Sequence, residues 1–188
     1  MNRSVIVKFV IPFVRWYILM IILTIAIDYI LHRLQWASVG LYFGYIGTAL
    51  VILSFIYSLR KRKIIASGSP KKLLIMHEYF AWLGSVLLLV HAGIHFNAIL
   101  PWLAIIMLLI NVASGLVGKY LLKKSTESLK VRKSALIELG IDEVEAERKL
   151  FWDSVTVDLM DNWRTVHIPI SLLFGILVIL HIVTILMY

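Results

Sequence analysis

"HEYFAWLGSVLLLVH", residues 77–91, and "HIPISLLFGILVILH", residues 167–181, each begin and end in histidine and are otherwise apolar enough for a membrane interior. Both pairs are fourteen positions apart. Fourteen residues bring a helix round to within roughly 40° of the same face and about 21 Å further along its axis. His77 and His91 therefore look out of one side of a helix at two depths, and His167 and His181 do the same on another.

The rest of the chain decides how those helices are placed. It has 188 residues, 61% of them hydrophobic, with a mean hydropathy of +0.90. A soluble domain of this length could not hide so much apolar surface, so the implied solvent is a bilayer. Five runs are long enough to cross one, at about 20 residues each: 12–32, 39–59, 75–97, 100–122 and 166–188. None alternates with period two, so the expected class is an all-α integral membrane protein of five transmembrane helices.

Net charge +8 suggests nucleic acid at first sight, but the basic residues cluster by side. Arg3, Lys8 and Arg15 lie at the start, Arg60 to Lys63 with Lys71 and Lys72 follow the second run, and Lys119 to Lys133 follow the fourth. The other two connections, "HRLQWAS" and "FNAILPW", hold only Arg33 among lysines and arginines. The positive-inside rule then puts the N-terminus in the cytoplasm and the C-terminus outside. Topology accounts for the charge, and no nucleic-acid partner is implied. The chain has no cysteine, which excludes thiol catalysis, disulfides, cysteine-ligated clusters and covalent C-x-x-C-H haem. The first run is too long for a cleaved leader and reads as a retained anchor.

Three parts follow: transmembrane helices one to four in 1–122, a cytoplasmic helical loop in 123–165, and the fifth helix in 166–188. The loop carries nine of the eleven acidic residues. It reads as two short amphipathic helices broken at Gly140, with Asp142 as N-cap and Val144, Phe151 and Val155 on one face. Such a segment lies on the membrane or on neighbouring helix ends, or else docks a redox partner subunit.

With one span between them, the two histidine-bearing spans run parallel. His77 and His167 then share one depth and His91 and His181 another. Two imidazoles at equal height on facing helices are a pair of axial ligands, and the flat group that fits between them is haem b. A single histidine in hydrocarbon would more simply hydrogen-bond a neighbour, and a proton path or a non-haem metal site is the alternative use of four. The matched spacing and depth favour two haems, the inner on His77 and His167, the outer on His91 and His181.

Other residues join the two sites. Gly84 and Gly175, near the middle of each pair, would give the ring edges clearance. Gly44, Gly47, Gly115 and Gly118 would either do the same or serve helix packing. His95 follows His91 by one turn and competes with it as ligand; otherwise His95 and Arg164 are candidates for propionate or quinone contacts. Asp28 and His32 are one turn apart on the first span and, with His95, would line an outer proton-coupled pocket such as a quinol site. Interfacial polar capping is their plainer use. Trp36, Trp102, Trp152 and Trp163 fit the aromatic belts.

Over residues 39–188 the arrangement resembles the diheme cytochrome b superfamily, both the cytochrome b of quinol-oxidising bc and bf complexes and the ferric-reductase-like membrane domains. The resemblance implies a haem-binding bundle that relays electrons across the cell membrane. It rests on the four histidines. The quinol-site proline–glutamate motif of the first group has no counterpart here, and neither does the flavin or nicotinamide domain of the second. Three functions stay open: the membrane subunit of a redox complex, exchanging electrons with quinone and a soluble partner; a stand-alone reductase of an external acceptor; and a non-redox transporter or channel.

Overall fold

Without water to bond its amides, a chain in hydrocarbon must satisfy them within each segment, and a helix does so. The computed structural model describes residues 3–36, 38–93 and 98–187, without the side chains of 3–9, 121–129, 147, 149 and 151–164. Among the described residues the chain is helical throughout, with no strand. The elements are α1 (Arg3–Arg33), α2 (Val39–Ser54), α3 (Ile56–Lys61), α4 (Pro70–Ala92) and α5 (Ile99–Val117). A π-helical turn (Gly118–Leu122), α6 (Lys123–Glu138), α7 (Glu143–Lys149) and α8 (Phe151–Met187) follow. Five stretches are long and apolar enough to cross a membrane: Val10–Arg33, Val39–Lys61, Pro70–Ala92, Ile99–Tyr120 and Thr165–Met187. They match the five expected runs to within a few residues at most ends.

Local chemistry sets the boundaries. Pro70 and Pro101 fall in the first turns of α4 and α5, where a missing N–H leaves no bond unmade. Between α2 and α3 the helix tightens at Phe55, whose N–H bonds the Ile52 carbonyl. The Ser54 hydroxyl turns back onto the Val51 carbonyl at 2.7 Å, an arrangement that bends helices.

The expected divisions at 122/123 and 165/166 do not coincide with breaks. The helix runs from α5 through the π turn into α6, and α8 is one helix of 37 residues. No glycine or proline lies at either boundary to stop it. Gly140, at φ +81°, does separate α6 from α7, and Asp142 accepts the Ala146 N–H at the start of α7. The packed face of α7 differs from the one expected: Ala146 and Leu150 are buried, whereas Val144 is 74% exposed. Phe151 and Val155 belong to the side chains outside the description.

Packing organises the spans into two antiparallel pairs, α2 with α4 and α5 with α8, while α1 lies across α4 and α5. Trp16 and Trp82 meet edge to face at 5.5 Å, and the Trp82 indole N–H donates to the Trp16 carbonyl. Tyr17 donates to the Leu109 carbonyl. α4 and α8 do not pack on each other to any comparable extent. Only 6% of the apolar window of the first and last spans is buried, against 22% for the second and third. The surfaces of α1 and α8 are thus left to lipid.

Candidate functional site: two histidine pairs between paired helices

The α2–α4 contact has a seven-residue beat. Gly40, Gly47 and Ser54 on α2 stand against His91, Gly84 and His77 on α4. At its centre the two backbones touch: a Cβ on Gly47 would lie 3.0 Å from the Gly84 carbonyl oxygen, and one on Gly84 would lie 3.0 Å from that of Gly47. Only glycine permits such an approach. The space at Gly84, expected to clear a ring edge, is therefore filled by α2.

At either end of this contact a histidine of α4 reaches a main-chain carbonyl of α2. The Nδ1–H of His77 donates to Ser54 at 3.0 Å, and that of His91 donates to Gly40 at 3.0 Å. A carbonyl can only accept, so each neutral ring carries its proton on Nδ1 and keeps its Nε2 lone pair. Gly44 makes room for the second ring, since a Cβ there would sit 2.7 Å from His91 Nδ1. Tyr57 lies against the first, with ring centroids 5.6 Å apart.

The α5–α8 pair holds its inner histidine differently. Ser114 Oγ is 2.8 Å from His167 Nδ1, and the ring's Cε1 would stand 3.8 Å from a Cβ on Gly115. One turn along, the Ser171 hydroxyl contacts both Asn111 Oδ1 and the His167 carbonyl. The buried polar side chains among the described residues are all serines, Ser54, Ser85, Ser114 and Ser171. Each has a hydrogen-bond partner. His181 makes no hydrogen bond among the described residues, and a Cβ on Gly175 would meet open space.

Between the two helix pairs the histidines are neighbours in twos. His77 is an electrostatic neighbour of His167, and His91 of His181. Since α4 and α8 each carry one inner and one outer member, they run in the same direction. Among the described residues no three His, Cys, Asp or Glu side chains converge as a metal site would require. Two nitrogen donors on opposite helices, with the second ring nitrogen of three of the four engaged elsewhere, suit the axial positions of a haem.

Asp28 and His32 line a small cleft at the His91 end of α4 with Leu31, Gly40, Val90, His91 and Gly93. His32 Nδ1 donates to the Asp28 carbonyl at 2.9 Å and stands 3.5 Å from its carboxylate. The sequence had grouped this pair with His95, which lies outside the described residues; the cleft is walled by His91. The Arg164 side chain is likewise outside the description. At the His77 end Glu78 pairs with Lys119 at 2.8 Å, and the ammonium lies over the rings of Tyr79 and Tyr120. This links α4 to the π turn beside His77.

Sequence reasoning missed the tethers. Backbone acceptors leave no mark in a sequence, although the glycines of "GLYFGYIG" and the serine in "NVASG" were there to be read. No family model matches the chain, and neither a curated protein nor a solved structure shows significant similarity to it.

Proposed function

We propose that the protein is a transmembrane b-type cytochrome of the cell membrane, holding one haem between His77 and His167 and a second between His91 and His181. The observation that carries this reading is the tethering of both α4 imidazoles through Nδ1 to α2 carbonyls, which leaves each Nε2 free to ligate. That α4 and α8 pack on other helices rather than on each other supports it. Haem supplies the one-electron chemistry. The chain fixes the imidazoles, and its apolar helices keep water out. Two sites stacked at the helix rise lie about 20 Å apart, which carries electrons across most of the hydrocarbon layer.

The electron partners proposed are a membrane quinone and a soluble redox subunit. The outer cleft supports the first, since it sets the carboxylate of Asp28 and the imidazole of His32 beside His91. The exposed Val131, Leu139 and Val144 of the α6–α7 region support the second. A pyridine haemochrome assay on detergent-purified protein should give two b haems per chain. A colourless preparation overturns the reading and leaves the transporter or channel in its place. His91→Ala should cost one haem, whereas His95→Ala should keep both. Reduction of an external acceptor by the isolated chain would favour the stand-alone reductase over the subunit.

A further inference from the structure

His77 and His91 face acceptors that can play only one part. His167 faces a hydroxyl, which can either donate or accept. If Ser114 donated to Nδ1, a neutral His167 would carry its proton on Nε2 and have no lone pair there. If Ser114 accepts, the proton is on Nδ1 and Nε2 can bind iron.

Haem ligation needs the second arrangement, since only that one leaves Nε2 a lone pair. Ser114 is 2% exposed, and His167 Nδ1 is the hydrogen-bond partner of its hydroxyl among the described residues. Gly115 lets the ring lie close to α5.

Resting on the haem reading above, we infer that Ser114 is a positioning residue for the inner haem. Its hydroxyl accepts from Nδ1–H of His167, fixing the tautomer that ligates and making the imidazole a stronger donor. A hydrogen-bond acceptor behind a ligating histidine is worth roughly 10- to 100-fold in metal affinity.

The test uses the full-length, haem-loaded protein, with the single-haem His77→Ala variant as reference for the outer signal. Ser114→Ala should weaken retention of the inner haem by about 10- to 100-fold. Where that haem stays, its midpoint potential should rise and its low-temperature electron paramagnetic resonance should shift, because a poorer donor stabilises ferric iron less. The outer haem should not change. Ser114→Thr, which keeps the hydroxyl, should behave as the natural protein. So should Ser171→Ala, which removes the neighbouring bond of the same interface. Wild-type retention, potential and resonance in Ser114→Ala would overturn the inference, as would a Ser114→Thr variant equally impaired. Loss of the inner haem in Ser171→Ala would assign the effect to interface packing and overturn it too. Absence of haem from the natural protein sinks the parent reading instead.

Discussion

On α4 both imidazoles donate to main-chain carbonyls of α2, whereas on α8 the inner ring meets a serine hydroxyl and the outer ring has no protein hydrogen bond among the described residues. The first helix pair positions its imidazoles with its backbone and the second with a side chain. A backbone acceptor cannot be removed by substitution, but it demands that the two helices come close enough for carbonyls to be reached. Glycine at the contact meets that demand. The α5–α8 pair needs no such approach and keeps its serines and Asn111 at the interface instead. Damage to the first pair should therefore come through volume, and damage to the second through lost polarity.

The largest expected effect is at the centre of the first pair. Gly84→Leu places a side chain against the Gly47 carbonyl and Val51 and should cost about 3 kcal/mol, the upper end for overpacking. On the proposed cytochrome reading both haems should be lost together, as read in the absorption spectrum; retention of both would mean that α2 does not set the imidazoles. Gly44→Ala comes next, because its methyl would sit within 3 Å of the His91 ring. It should remove or perturb the outer haem alone, at about 1–3 kcal/mol in thermal unfolding. An equal loss from both sites would deny that the two ends of α4 are separable.

The sequence made some of this legible and left the rest hidden for physical reasons. Hydropathy and length gave the five spans, because membrane thickness imposes both. The fourteen-residue spacing put two histidines on one face of α4, where both reach α2, because helical pitch fixes that. What holds those rings was hidden: the Gly40 and Ser54 carbonyls are common to every residue type, so no letter marks them as acceptors. Gly84 was visible as a small residue, but its neighbour could not be known without the register of α2 on α4. The helix boundaries near Leu122 and Phe151 were also obscure, since no glycine or proline marks them.

Smaller effects sharpen the contrast at the inner end. Lys119→Met strips the partner from Glu78 and should cost about 1 kcal/mol. The inner haem's absorption band should shift slightly while the outer band stays unchanged. A shift of the outer band would mean that the π turn braces both sites. Least of all should come from the exposed pair on α6 and α7. Lys133, 2.8 Å from Glu143, holds that carboxyl below the usual range. Its contribution to stability is present above the ordinary glutamate pKa of about 4.3 and is lost as pH falls through the lowered folded value. Carboxyl carbon resonances should show Glu143 titrating low, and Lys133→Met should return it to the ordinary range. Thermal stability at neutral pH should hardly move.

The meeting of α2 and α4 reads alike from either end. A glycine pair marks the middle, and seven residues out on both sides an imidazole is bound to a carbonyl of the facing strand of backbone. Turned upside down, that hairpin would offer nearly the same furniture to whatever lies beside it. A contact so close to palindromic gives the insertion machinery no hint of which way is up, and the burden of choosing falls on the lysines and arginines at its margins.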